Sequence, residues 1–248
     1  MALVLEGITH RFGETAILEN LDLNVGEGCF CCLVGPSGCG KSTLLRIIAG
    51  LYHPQDGIVK LDGRSLSLEQ GEVGFVFQED ALFPWFTVEE NIRFGLRARG
   101  IEKDLWDRLI AENLEKVGLA DYRKYYPNQL SGGMKQRVAI ARVLAYNPKI
   151  LLMDEPFASL DSLNRNMLQS ELVDLWKRES KTIIFVTHNI DEAVFLAERI
   201  VIMGASPGRI KTVVDVDLPR PRNRTDTTFC QTRRGVLEII ESQLYGDN

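Results

Sequence analysis

The residues best equipped for chemistry are the nine of Gly35-Pro36-Ser37-Gly38-Cys39-Gly40-Lys41-Ser42-Thr43. They fit G-x-x-x-x-G-K-[ST], the pattern of a phosphate-binding loop. Gly35, Gly38 and Gly40 let the backbone curl so that successive N–H groups point inward as an anion nest. The positive end of a following helix adds to that field. Lys41 is suited to reach the β- and γ-phosphates of a nucleoside triphosphate, and the Ser42 hydroxyl to ligate Mg²⁺. This chemistry needs a strand entering the loop and a helix leaving it. The apolar run Phe30 to Val34 supplies the first and Ser42 to Ala49 the second. That context separates the loop from a glycine-rich turn with a solvated lysine. Oxidation of Cys39, inside the loop, is expected to block nucleotide binding.

A second chemical centre is Ile150-Leu151-Leu152-Met153-Asp154-Glu155-Pro156. Four apolar residues without alternation predict a strand buried on both faces of a parallel sheet. Asp154 is expected at its carboxyl end, where open α/β sheets bind ligands, as a carboxylate for Mg²⁺. Glu155 is positioned by sequence to take a proton from the attacking water or to orient it. Gln78 follows the expected strand Val73 to Phe77 and is suited to contact Mg²⁺ or that water through its amide. Asp80, nearby, is set aside as the magnesium carboxylate in favour of Asp154. Leu130-Ser131-Gly132-Gly133 stands at a helix entrance, as a plain cap or as a second phosphate site. His188 ends the expected strand Thr182 to Val186 and is suited to hydrogen-bond a γ-phosphate oxygen, although a lone histidine is more often structural. Phe12, taken alone, reads as a core or loop aromatic rather than a purine platform.

The positioning elements follow from pattern. Leu3 to Ile8, Ala16 to Val25 and Cys29 to Val34 are apolar runs broken by turns, with Gly26-Glu27-Gly28 read as a hairpin signal. Gly57 to Leu61 reads as a strand. Thr87-Val88-Glu89-Glu90 opens a helix as a capping box, and helical periodicity covers Val88 to Arg97, Leu105 to Val117 and Gly133 to Ala145. Ser159-Leu160-Asp161 leads into a helix reaching Arg178. Ile200 to Met203 is a core strand, Arg209 to Val216 alternates like a surface strand, and Arg233 to Leu244 is a closing helix. Pro219-Arg220-Pro221-Arg222-Asn223-Arg224 reads as a solvated, extended connector, with lipid headgroups as the sharper alternative for its arginines. The expected plan is one domain. Residues 1–87 and 146–204 form an α/β core with a β subdomain, 88–145 an inserted helical subdomain, and 205–248 a strand, connector and helix.

Bulk properties narrow the function. The 248 residues carry a formal net charge of −5, without the basic excess expected of a nucleic-acid binder. No apolar stretch approaches a membrane span, and Met1-Ala2-Leu3-Val4-Leu5-Glu6 lacks the pattern of a signal peptide. A membrane role is therefore expected through a partner. The five cysteines, Cys29, Cys31, Cys32, Cys39 and Cys230, form no metal-ligand pattern and are expected as buried free thiols.

The ordered combination of the phosphate loop, Gln78, Leu130-Ser131-Gly132-Gly133-Met134, Asp154-Glu155, Ser159-Leu160-Asp161 and His188 resembles the ATP-binding cassette family over essentially the whole chain. Met134 replaces the commoner Gln of that family's signature. The resemblance implies a RecA-like P-loop NTPase core with an N-terminal antiparallel β subdomain and an inserted α-helical subdomain. It reassigns Phe12 as the adenine-stacking aromatic, and makes Gln78 the Q-loop glutamine and His188 the switch histidine. It places Asp161 among the nucleotide-facing residues. It further implies a head-to-tail homodimer holding two ATP molecules, each phosphate loop facing Ser131-Gly132-Gly133 of the other subunit.

Within the family, Phe77-Gln78-Glu79-Asp80-Ala81-Leu82-Phe83-Pro84-Trp85, Met153 to Asp161 and Met203-Gly204-Ala205-Ser206-Pro207-Gly208-Arg209 are similar to importer ATPases of the nitrate, sulfonate, taurine and bicarbonate group. Such a cassette works on the cytoplasmic face of the cell membrane, on a separate permease fed by a solute-binding protein. The apolar cluster Leu82, Phe83, Trp85, Phe86 then receives the permease, though a subdomain joint has the same composition. Alternatives are a repair- or translation-type cassette, a catalytically degenerate one, or the ATPase of an exporter. The single cassette, the short Gln78–Ser131 separation and the acidity disfavour the first, and the full catalytic set disfavours the second.

Overall fold

In this computed structural model residues 2–66, 71–79, 81–204 and 207–245 are described. The chain runs through β1 (Ala2–Phe12), β2 (Thr15–Gly26), β3 (Phe30–Val34), α1 (Lys41–Ile48), β4 (Asp56–Leu61), β5 (Arg64–Ser65) and β6 (Val73–Val76). It continues through α2 (Val88–Ala98), α3 (Trp106–Lys116), α4 (Gly132–Leu144), β7 (Ile150–Asp154) and α5 (Ser162–Glu179). β8 (Thr182–Val186), α6 (Ile190–Leu196), β9 (Arg199–Met203), β10 (Ile210–Asp215) and α7 (Thr227–Tyr245) follow. Two compact units result, Met1–Ser67 with Ser180–Asn248, and Leu68–Glu179.

In the first unit, alternation builds an antiparallel sheet of order β2-β1-β4-β5. Leu18, Leu21, Leu23 and Val25 of β2 point inward and are buried, while residues between them meet solvent. β1 and β2 close at Phe12↔Thr15 around Gly13, whose φ of 58° suits a two-residue hairpin turn. A second sheet has the order β10-β9-β3-β8, with β3 parallel to both β8 and β9 and β10 antiparallel to β9. Every residue of β3 and β8 is buried, as expected of parallel strands covered on both faces.

Gly26-Glu27-Gly28 does not form a hairpin, because β2 and β3 belong to different sheets. Gly28 adopts φ 70° and donates its N–H to Thr182 Oγ1 at 2.9 Å, so the turn carries the chain from one sheet to the other. Nor is the connector solvated along its length. Arg220, Arg222 and Arg224 are half-buried while Pro221, Asn223 and Thr225 are exposed, since an extended chain points alternate side chains to one face. Of the five free cysteines, Cys31, Cys32 and Cys39 are buried, Cys29 is half-buried and Cys230 is exposed.

The second unit pairs β6 and β7 in parallel, from Val73↔Ile150 to Val76↔Met153. Gly74 is required there, because a Cβ would lie 2.2 Å from Val143 Cγ1. α2, α3 and α4 share a core built on Val88, Ile92, Leu96, Ile110, Leu114 and Val138. The predicted capping box is present: Thr87 Oγ1 accepts Glu90 N–H, and Glu90 accepts Thr87 N–H at 2.7 Å. Glu89 is buried and takes Arg123 and Lys124 as ion-pair partners. Burial works to raise its pKa, but hydrogen bonds from Lys124 and Arg123 outweigh it and hold the carboxyl below its usual range.

Candidate nucleotide-binding site

β3 is a short buried strand, and α1 starts seven residues after its end, so the loop between them must reverse tightly. Gly40, the N-cap of α1, sits at φ 94°, and no side chain caps the helix. A Cβ on Gly40 would approach Leu18 Cδ2 to 2.6 Å, and one on Gly35 would approach Met203 O to 2.5 Å. The loop is thus pressed against its surroundings by bare backbone. The Lys41 ammonium is buried and donates to Gly35 O and Pro36 O, both at 2.9 Å. Ser37 and Gly38 are exposed, Ser42 is half-buried and Thr43 is buried. Burial pushes the Cys39 thiol above its ordinary pKa, against the opposing pull of the Lys41 charge.

The floor of this loop includes a residue whose role the sequence did not disclose. A Cβ at Gly208 would lie 2.0 Å from Cys39 O, while Gly208 donates its N–H to Ile17 O at 2.7 Å and accepts Glu19 N–H at 3.2 Å. Gly208 fell only within the stretch marking the importer group; Ala205, Ser206 and likewise Asp80 lie outside the described residues. Phe12 is half-exposed and meets His10 edge-on at 4.9 Å and Tyr52 at 5.6 Å. His10 is buried and stacks on Tyr52 at 5.7 Å, with neither ring nitrogen hydrogen-bonded. Period two puts His10 and Phe12 on one face, the signal in the sequence for this aromatic cluster. His188 is exposed beyond β8, ahead of Asn189, which caps α6 by accepting Glu192 N–H at 3.3 Å.

In the second unit every residue of β7 is buried, and Asp154 ends the strand at 5% exposure. Glu155 follows at φ 44°, a left-handed conformation costing a non-glycine residue about 1–3 kcal/mol and typical of functional turns. The turn continues with Ala158 N–H to Glu155 O at 3.1 Å and delivers Asp161 to the start of α5. The Asp161 carboxylate accepts Leu163 and Asn164 N–H at 3.1 and 3.0 Å, so it caps that helix. Hydrogen bonds from Asn164 hold its pKa below the ordinary carboxylate value. Ser131 is exposed and caps α4 by accepting Met134 N–H at 3.3 Å. A Cβ on Gly132 would lie 3.3 Å from Leu160 Cδ2, so small residues let the α4 entrance pack beside the Leu160-Asp161 turn. Gln78 is exposed after β6.

The residues of the phosphate loop fit the phosphates of a nucleotide. The loop is a cradle with no room for Cβ atoms at Gly35 and Gly40. Among the described residues no three or more His, Cys, Asp or Glu converge as a metal cage. Mg²⁺ accompanying a nucleotide needs none: one or two protein oxygens complete a shell of phosphate oxygens and water.

The fold and loop together define a P-loop NTPase. The ABC transporter family model matches residues 18–158. An uncharacterised ABC transporter ATP-binding protein of Methanocaldococcus jannaschii is 50% identical over 98% of this chain and 92% of its own. The aliphatic sulfonates import ATP-binding protein SsuB of Bacillus cereus is 44% identical over 97% of this chain and 96% of its own. The dimeric post-hydrolysis structure of the ATP-binding cassette MJ0796, bound to ADP and Pi, superposes with a TM-score of 0.74 at 34% identity, covering 88% of this chain and all of that one. The chain belongs to the ABC transporter ATPase family: it binds ATP and hydrolyses it in the service of transport.

Proposed function

We propose that this chain energises an importer, driving uptake of a small solute of the nitrate, sulfonate, taurine or bicarbonate kind through a separate permease on the cytoplasmic face of the cell membrane. The observation that carries the reading is likeness to the sulfonate-import cassette along nearly the whole chain, beyond the motifs every cassette shares. A docking surface of suitable chemistry supports it. Trp85 is 66% exposed beside Phe83 and Phe86. A neighbouring groove of about 430 Å³ is lined by Phe86, Glu90, Arg93, Phe94, Arg97 and Trp106. Aromatic anchors rimmed by charge are what a partner segment engages. Among the described residues no helix is long and apolar enough to cross a membrane, so the permease is a separate partner in this reading. A solute-binding protein delivers cargo to that permease.

In the proposed mechanism Phe12 stacks on adenine, and the N–H groups of residues 35–43 with Lys41 hold the β- and γ-phosphates. Ser42, Gln78 and Asp154 would hold Mg²⁺, which neutralises charge on the phosphate oxygens when bound. Glu155 takes a proton from water as its oxygen bonds to the γ-phosphorus. The bond to the bridging oxygen then breaks, giving ADP and phosphate. His188 hydrogen-bonds a γ-phosphate oxygen. Ser131, Gly132 and Gly133 of a second copy complete the site in a head-to-tail dimer, and Asp161 is among the residues that face the nucleotide. Closing requires the γ-phosphate, so hydrolysis reopens the dimer. Purification from native membranes in mild detergent tests the transport assignment. A multi-span permease should co-purify; recovery with ribosomes or DNA, and no permease, would overturn it.

A further inference from the structure

The arginines of the connector make contacts that ATP binding does not explain. α6 begins two residues after His188, and Thr187 anchors that junction by accepting Asn189 N–H at 3.0 Å and donating to the Glu192 carboxylate. The last carbonyls at the far end of α6 lack intrahelical donors. Arg220 donates to Phe195 O at 3.1 Å and also to Leu196 O. Arg222 donates to Val194 O at 2.7 Å and Ala197 O at 2.6 Å, and reaches back to Val216 O and Leu218 O at 3.2 Å. Cationic groups at a helix C-terminus also match its dipole. Burial pushes Arg222 down to about 10. Arg224 lies 3.7 Å over the Phe195 ring and pairs with Asp191 at 2.7 Å, while Arg233 of α7 approaches the same carboxylate at 3.6 Å. α6 is therefore gripped at its C-terminal end and in its first turn by the same tail segment.

We infer that Arg220, Arg222 and Arg224 are positioning residues for hydrolysis, holding His188 in place through α6 and making the C-terminal tail a determinant of turnover. The inference rests on the proposed role of His188. A helix clamped at both ends fixes the strand-end residue that precedes it; loosening either end lets that residue wander from the γ-phosphate. The substrate-binding loop is untouched, so the effect falls on kcat and not on KM for ATP.

The test is a double-mutant cycle on the full chain, using ATP hydrolysis as readout. Arg222→Ala and, separately, Asp191→Asn should lower kcat about five- to tenfold with KM for ATP unchanged within about twofold. Asp191→Asn removes a surface-accessible pair and serves if Arg222→Ala fails to fold. In a His188→Ala background either substitution should change kcat by no more than about twofold, because the group it positions is gone. Equal losses in both backgrounds, or an unchanged kcat, would overturn the clamp. A His188→Ala variant that hydrolyses ATP at the parent rate would instead overturn the histidine's role, and the clamp with it.

Discussion

α1 and α4 both begin at glycine-rich segments, yet they treat their first turns in opposite ways. α1 starts at Gly40 in a left-handed conformation, with no side-chain cap. α4 starts at an extended Ser131 whose hydroxyl takes the Met134 N–H. The first four N–H groups of any helix lack intrahelical partners. At α1 the whole neighbourhood is built around them: Met203 O and Leu18 leave no space for a Cβ at Gly35 or Gly40, and Lys41 is buried against the loop. At α4 the entrance is exposed and the Ser131 hydroxyl takes one of those groups, the Met134 N–H. In the proposed mechanism this difference is functional. A helix end serving its own chain's nucleotide gives its donors to the ligand, whereas one serving a second copy must be stable by itself before that copy arrives.

Substitutions can break this comparison. Lys41→Ala should reduce hydrolysis by about 100-fold or more and weaken ATP binding, because it removes the charge that stabilises the phosphates; a binding isotherm equal to the parent's would contradict the α1 assignment. Ser131→Asp separates cap from ligand contact. Aspartate caps as well as serine, so the melting temperature and monomer ATP affinity should hold. Turnover should fall by about 100-fold, because a carboxylate then faces a phosphate. Retained turnover would leave α4 with a capping role alone. Gly40→Ala should destabilise the fold by about 1–3 kcal/mol in denaturant unfolding, from an unfavourable φ and contact with Leu18. A smaller effect concerns the unit that carries α4. The folded pKa of Glu89 lies below its unfolded value, so its contribution is complete above the unfolded carboxylate range near about pH 4.3. It fades as pH falls through the lower folded value. Glu89→Gln should be less stable than the parent at neutral pH, with the difference shrinking on acidification.

Much of this was legible in the sequence, for physical reasons that also mark where legibility ended. β3, β7 and β8 were readable because strands buried on both faces show unbroken apolar runs, and α2 because Thr87 and Glu90 stand at capping-box spacing. Gly26-Glu27-Gly28 announced a turn but not which strands it joins; that depends on distant pairing, and β3 found β8 and β9. α6 was not predicted because seven residues give too little periodicity, and α7 begins at Thr227 rather than Arg233. The Arg220–Arg224 segment misled through composition. Proline and arginine suggest a solvated chain, whereas the Arg220 and Arg222 guanidinium groups are drawn inward by carbonyls at the end of a helix more than twenty residues away in sequence. Gly208 illustrates the same limit, since a glycine required by close approach looks like any loop glycine until its neighbour is known.

The most direct test of the account is the mass in solution of Glu155→Gln with ATP, beside Glu155→Gln combined with Ser131→Arg. With hydrolysis blocked, the single variant should bind ATP and run as a dimer, returning to monomer in ADP. The double variant should bind ATP and remain monomeric, because its damage lies in the site it would complete for another copy. A single variant that hydrolyses ATP at the parent rate, or a double variant that dimerises as readily as the single one, would contradict the shared site.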